Sequence, residues 1–378
     1  MKPKIVVITP TYNERDNVGK LIPMLAEVFA KLPDHNMQLL VVDDTSPDGT
    51  AEVVRGLQTQ YTWVHLLMNK GKQGLGAAYA KGMQYAISEL KADAFIEFDG
   101  DLQHNPHDIP KLVVAFDQGA DYVIASRYIK GGSIPDEWNF DRKFLSVVGN
   151  WVARLLLLVP KIHDVTGGFK LTRVKGYGEN LSFDNLISKQ FAYKIQFLFE
   201  MVQMEAQVVE VPTNFRPREL GESKLMSNEM VETLRVIFML QMNNPKMRQF
   251  VKFGIVGAIG YVVQATSLYM LSRFDLAEWV LWGGSAELAI ISNFTINNLW
   301  TFKSHKISGF KILLKFLQFN ASSVGAIIIQ MVAGSVLVHW FGAEHRQLYL
   351  PLIIVTLVIP YNYLMYTRII WKTNKKRT

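Results

Sequence analysis

The chain has 378 residues, 49% of them hydrophobic, with no cysteine and a net charge of +7. That length exceeds one ordinary domain, and the missing cysteine excludes disulfides and thiolate-held zinc. Charge is unevenly divided: residues 246–378 carry 14 basic against 4 acidic side chains, a net +10, whereas residues 1–245 carry 26 against 29, a net −3. A basic soluble domain would suggest nucleic acid; here the excess lies beside long apolar segments, which fits anionic lipid headgroups and no nucleic acid.

The opening MKPKIVVITP has an apolar run too short for a secretory signal and suited to a buried parallel strand. This half is therefore expected to stay in the cytoplasm. Strand-like runs follow one another at 4–9, 38–43, 63–68, 94–99 and 121–125, with helical stretches at about 16–31, 50–59, 75–91 and 107–117 between them. That alternation predicts a Rossmann-like α/β fold, a mostly parallel sheet with helices on both faces. Such sheets bind ligands at the carboxyl ends of their strands. The polar strand ends here are Pro10 to Glu14 (PTYNE), Asp43 with Asp44, and Asp99 with Asp101.

The run FIEFDGDLQHNP (95–106) is the most telling of these. If the strand continues, alternation sends Asp99, Asp101 and Gln103 to one side. Three oxygen donors then converge on a hard divalent cation, Mg²⁺ or Mn²⁺, which usually completes its shell with a substrate's phosphates. A strand followed by a helix cap explains one acidic residue, less easily the alternating set. The segment Gly71 to Gly76 (GKQGLG) is no Walker A loop, because no Lys-Ser or Lys-Thr follows it. Its glycines serve either close packing or phosphate contact, with Lys72 as the one charge available.

Residues 142–159 (RKFLSVVGNWVARLLLLV) are apolar but carry Arg142, Lys143 and Arg154, and suit a helix lying in the headgroup plane. Residues 226–242 read as a second such helix. Four candidate spans follow at about 250–272, 278–301, 314–341 and 347–371, each long enough for a bilayer of roughly 30 Å. Lys246, Arg248 and Lys252 precede the first; Lys303, Lys306, Lys311 and Lys315 lie between the second and third; Lys372, Lys375, Lys376 and Arg377 follow the last. The positive-inside rule then puts both termini in the cytoplasm. Gly254, Gly257 and Gly260 are spaced for close helix contact. Glu287, in mid-span, is either a functional group or part of a polar network with Asn293, Asn297 and Asn298.

ITPTYNE, VVDDTSPDGT, the glycine-rich segment and DGDLQH, in this order and spacing, resemble family 2 glycosyltransferases of the GT-A fold. SRYIKGG (126–132), WNFDRKFLS (138–146) and NFRPRELGESK (214–224) make the chain similar to dolichyl- or polyprenyl-phosphate mannose synthases. FVKFGIVGAIGYVVQ and NFTINNLWTF (293–302) resemble the GtrA-like four-helix membrane domains. The resemblance implies a GT-A domain over 1–225 with an interfacial helix near 141–160, an interfacial helix or linker over 226–245, and an all-α transmembrane domain over 246–378. It implies that Pro10, Tyr12, Glu14, Val42 and Asp44 contact the nucleotide, with Lys72 beside them. It further implies that Asp99, Asp101 and Gln103 hold the metal on the diphosphate, and that Arg127, Arg142 and Ser146 bind the lipid phosphate. Arg218 and Lys224 would lie on a mobile loop over the donor. Asp101, Arg127, Arg142 and Arg218 would carry the catalysis.

A lipid monophosphate has a second pKa of about 6 and attacks as an anion, so no general base is required. Charge neutralisation is required instead: a metal on the donor, arginine on the acceptor. In-line attack inverts the anomeric centre. GDP-mannose is the donor that the resemblance favours, with UDP-glucose as the alternative. A second class of function is a transporter that moves the glycosylated lipid, with the transferase as its feeder. Four spans are few for that unless copies of the chain associate into an oligomer.

Overall fold

The computed structural model describes residues 2–217, 227–342, 344 and 346–372. The chain divides into two compact units, Met1–Gln241 and Met242–Thr378.

The first unit alternates strand and helix: β1 (Lys4–Thr11), α1 (Arg15–Phe29), β2 (Asn36–Asp43), α2 (Thr50–Gln58), β3 (Val64–Met68), α3 (Leu75–Ser88), β4 (Ala94–Glu97), α4 (Ile109–Asp117), β5 (Tyr122–Ser126), α5 (Phe140–Leu157), β6 (Lys170–Arg173), α6 (Tyr193–Gln203), β7 (Val208–Pro212) and α7 (Ser227–Asn243). The seven strands stand in the order β3-β2-β1-β4-β6-β5-β7. All pairings are parallel except those of β6, which runs antiparallel to both β4 and β5. The strand runs read from sequence fall on β1 to β5; β6 and β7 were not among them.

Side-chain alternation builds a core on each face. Ile5, Val7, Leu39, Val41, Ala94 and Ile96 face α1 and α4 on one side. Val6, Ile8, Leu40, Val42 and Phe95 face α3 and α6 on the other. Order reverses between β1 and β4, because β2 and β3 are added on one side of β1 and β4 on the other. Loops leaving such a pair part in opposite directions and open a crevice at the strands' carboxyl ends.

The glycine-rich segment closes on the chain just before α6. Gly74 has φ +108°, and a Cβ there would collide with the Lys189 carbonyl. The amides of Gly76 and Ala77, at the start of α3, donate to that same carbonyl at 2.9 and 3.4 Å. These two donors are therefore spent within the protein, and Gly74 and Gly76 serve close packing.

In the second unit α8 (Pro245–Leu271), α9 (Glu278–Ile296) and α10 (Lys311–Phe341) are followed by α11 (Arg346–Ile353) and α12 (Ile359–Met365), which join through a π-type turn. Among the described residues three helical stretches, Pro245–Leu271, Lys311–Phe341 and Pro351–Ile370, are long and apolar enough to cross a membrane. The second expected span does not reach that apolarity over α9, which carries Glu278, Glu287, Ser285, Ser292 and Asn293. Gly254 and Gly257 meet nothing within 4 Å; only Gly260 is closely packed, against Asn293 of α9. Glu287 is exposed on its helix. Asn298 instead makes a polar knot: it donates to Ile307 O at 3.0 Å and accepts from Ile307 N at 2.8 Å and Trp371 Nε1 at 3.1 Å. Lipid offers no water to satisfy such groups, so an internal partner is required.

Gly74→Ala should cost about 3 kcal/mol, from strain at positive φ together with the clash against Lys189. Thermal unfolding of the variant measures it; an unchanged midpoint would contradict this packing.

Candidate active site

The site grows from the ends of β1, β2 and β4. β4 stops at Glu97, and the chain then turns rather than continuing extended: Leu102 has φ +60°. The alternation that was expected to align Asp99, Asp101 and Gln103 is therefore absent; a turn carries the three residues instead. The amide of Gln103 donates to Asp101 Oδ1 at 3.2 Å, an Asx-type closure of that turn. Gln103 Nε2 donates to Arg216 O at 3.1 Å, and Arg216 N returns a bond to Gln103 O at 2.9 Å. The turn is thus tied to the segment entering residues 218–226. Arg218 and Lys224 lie outside the described residues.

Asp99 is held from three directions. Tyr79 Oη on α3 donates to Oδ1 at 2.7 Å, Lys194 Nζ on α6 lies 3.4 Å from Oδ2, and His104 Nε2 lies 3.5 Å from the same oxygen. Burial alone would raise the Asp99 pKa; Lys194, His104 and Tyr79 outweigh it and hold the carboxyl well below its ordinary value. Behind this lies a second layer. Tyr193 Oη donates to Glu97 Oε2 at 2.7 Å, and Lys170 Nζ to Lys194 O at 3.3 Å. Burial pushes Lys170 down to about 8 and raises Glu97, each partly offset by the other's charge.

Among the described residues no group of three or more His, Cys, Asp and Glu side chains is gathered as a metal cage. The oxygen set of Asp99, Asp101 and Gln103 nevertheless fits a hard divalent ion that shares its shell with phosphates. Gln103 spends its amide nitrogen on Arg216, so the oxygen is the atom it offers a ligand.

At the ends of β1 and β2, Tyr12 is 37% exposed and Lys72 Nζ lies 4.5 Å from its ring centroid. Pro10 pairs with Val42 across the two strands. Asp44 accepts from Asn69 Nδ2 at 2.6 Å; burial raises its pKa, with the Asn69 bond and Lys72 opposing. Glu14 sits at the N-cap of α1, its amide donating to Thr50 Oγ1. These residues share one end of the sheet. Val42 is the exception: the whole residue is buried, its side chain against Gly82 of α3 and its backbone between β1 and β3, which takes it out of the expected nucleotide contacts.

The acceptor residues also differ from the expectation. Arg127 donates Nε and Nη2 to the two oxygens of Asp164, both at 2.8 Å, and Nη2 also to Thr166 Oγ1 at 2.9 Å. Asp164 is wholly buried and neutralises this guanidinium. Arg127 is thus no uncommitted cation awaiting a phosphate; it braces the loop after β5. Ser146 Oγ lies 2.6 Å from Tyr128 Oη, pinning α5 to the same loop. Arg142, in the first turn of α5, has its guanidinium 4.1 Å from the Trp138 ring centroid. α5 buries Asn150, Ala153 and Leu157 and exposes Phe140, Phe144, Leu145, Trp151 and Leu155. Beside it α7 exposes Val231 and Phe238, and Gln241 Nε2 donates to Leu156 O at 2.7 Å.

Lys194, Lys170, His104, Tyr79, Glu97 and Asp164 had not been singled out by sequence. A lone lysine inside an apolar run, as in FAYKIQFLF or GGFKLTR, is the signal that could have found two of them.

Two family models match the chain: glycosyl transferase family 2 over residues 6–181, and the GtrA/DPMS transmembrane domain over residues 252–371. Dolichol-phosphate mannosyltransferase of Pyrococcus furiosus is 32% identical over 376 residues, 98% of this chain and all of that one. Polyprenol monophosphomannose synthase of Mycolicibacterium smegmatis is 35% identical over 232 residues, 61% of this chain and 84% of that one. Undecaprenyl-phosphate mannosyltransferase of Micrococcus luteus is 33% identical over 222 residues, 59% of this chain and 87% of that one. A family 2 glycosyltransferase domain and a GtrA/DPMS membrane domain therefore share this chain. More narrowly, it belongs to the polyprenyl-phosphate mannose synthase family.

Asp164→Ala should cost about 3–5 kcal/mol, because it leaves Arg127 buried without its partner. Burial would raise the Asp164 pKa; Arg127 outweighs it and lowers it below the ordinary value. The stabilisation is then full above about pH 4, the unfolded value, and is lost as pH falls through the lower folded value. Urea unfolding at neutral and acid pH checks this: Asp164→Asn should be weaker than the parent at neutral pH and lose less on acidification.

Proposed function

We propose that this protein transfers mannose from GDP-mannose to the phosphate of a dolichyl or polyprenyl lipid, with inversion, at the cytoplasmic face of a membrane. The observation that carries this reading is the anionic turn at the sheet's switch point, with Asp99 kept ionised, in a chain whose relatives are named as lipid-phosphate mannosyltransferases.

On the donor side, Tyr12, Lys72 and Asp44 receive the nucleoside, with Pro10 and Glu14 shaping the pocket edge. Asp99, Asp101 and the Gln103 oxygen would hold Mg²⁺ or Mn²⁺ on the diphosphate. When bound, the divalent ion neutralises the donor diphosphate and stabilises the charge on the leaving GDP. Arg218 and Lys224 would add cations to the donor side.

On the acceptor side, Arg142 brings the lipid phosphate in from α5, and Ser146 and Arg127 fix the loop beside it. A phosphate oxygen attacks the anomeric carbon, the bond to the β-phosphate oxygen breaks, and GDP leaves with the electron pair. No proton has to move, because the monoester is largely ionised above a pKa of about 6. The exposed apolar faces of α5 and α7 support an interfacial position, since a soluble surface rarely shows such a contiguous patch. The lysines at 303, 306, 311 and 315 support a cytoplasmic placement of the loop before α10; with α9 crossing as well as α8, both termini would lie on that side too.

Detergent-solubilised protein with Mn²⁺ or Mg²⁺, polyprenyl phosphate and either GDP-mannose or UDP-glucose tests the proposal. Transfer from GDP-mannose alone, giving a β-linked product by NMR, is expected. Transfer from UDP-glucose alone, or from neither, would overturn it. In the same assay Arg142→Ala should raise the KM for lipid phosphate about tenfold, or about 1.4 kcal/mol, with the donor KM unchanged. An equal rise in both would remove Arg142 from the acceptor side.

A further inference from the structure

Lys194 occupies a position that a cation should avoid. It lies in the first turn of α6, where the helix dipole opposes positive charge, and is only 1% exposed. A buried lysine sheds much of its hydration and needs a fixed partner to remain there charged. Its partner is Asp99, 3.4 Å away, and its ammonium also lies 4.0 Å from the Phe191 ring centroid. The surroundings are built to keep it in place. Lys170 Nζ donates to the Lys194 carbonyl, holding the start of α6 against β6. A Cβ on Gly168 would run into the Lys194 ammonium and approach Asp99 Oδ2 to 3.1 Å. Gly168 is therefore the slot in which the ion pair meets.

We infer that Lys194 is a positioning residue of the transfer site: its ammonium fixes the Asp99 carboxylate towards the metal-diphosphate of the donor, and Gly168 provides the room for that contact. This rests on the donor reading proposed above. Lys194 itself lies behind Asp99 and acts through it. Groups that orient a metal site from behind commonly change metal affinity about 10- to 100-fold when removed. The inference also separates the two buried lysines: Lys170 touches the backbone of Lys194 and not the Asp99 carboxylate, so its loss should be felt mainly in folding.

The test is a double-mutant cycle on the full-length protein in detergent. Titration calorimetry measures Mn²⁺–GDP binding, and Mn²⁺–UDP binding in parallel, for the parent, Lys194→Met, Asp99→Asn and the double variant; thermal unfolding is followed alongside. Lys194→Met keeps the volume and removes the charge. Expected are about 10- to 100-fold weaker metal–nucleotide binding in Lys194→Met, an unchanged KM for lipid phosphate, and no further loss when the substitution is added to Asp99→Asn. Lys170→Met should instead lower the unfolding temperature with less than threefold effect on binding. Parent-like binding in Lys194→Met would overturn the inference, as would a loss that persists in full in the Asp99→Asn background. A wrong donor base shows differently, as preference of the parent itself for UDP.

Discussion

The Asp99 carboxylate at the end of β4 is the point on which the site turns. It is anionic in a place where burial opposes charge, and it remains so because a lysine, a histidine and a tyrosine reach it from α6, the turn and α3. Each of those elements is itself tied down. Tyr79 stacks on Tyr193, whose hydroxyl holds Glu97, and the start of α3 bonds to the Lys189 carbonyl. A change in any of these would shift the carboxylate that, on the proposed reading, faces the donor. Pre-paid order of this kind is how a site stabilises charge at the moment of reaction without reorganising.

The same logic governs the acceptor side with the signs exchanged. Asp164, wholly buried, fixes Arg127 with two parallel bonds, and Arg127 in turn braces the loop from which Tyr128 reaches Ser146 on α5. Arg127 shapes this side more than it charges it. The cation nearer the apolar surface is Arg142, at the start of a helix whose outer side chains are large and exposed. One phosphate ester must approach another in this reaction. On the proposed reading the two problems are separated: buried ion pairs fix geometry, and cations nearer the surface would meet the substrates.

Sequence revealed the first five strands because each is an apolar run between polar ends. It missed β6 and β7 because charged residues interrupt them, as in KLTR and VVEVP, and because β6 enters antiparallel between β4 and β5, out of chain order; a run of residues carries no record of its neighbour in a sheet. Asp99, Asp101 and Gln103 were legible as a set, but for a reason the turn at Leu102 contradicts. Val42 shows the converse failure: a residue at a strand end is only half specified until its face is known, and its face is the core. The partners of Asp99 and Arg127 lie between 5 and 95 residues away along the chain, from His104 to Lys194, and only folding brings them together. In the membrane unit, length and apolarity were readable, whereas the polar groups in and just after α9 have partners that sequence cannot name. Asn298 is the clearest case, since its knot joins the loop at Ile307 to Trp371 near the end of the last helix.

The most direct measurement is a structure of the protein with Mn²⁺ and GDP, with manganese located by its anomalous scattering. The account predicts one peak at the turn that carries Asp99, Asp101 and Gln103, with the Asp99–Lys194 contact intact. A peak away from Asp101, or an Asp99 side chain swung clear of Lys194, would contradict it.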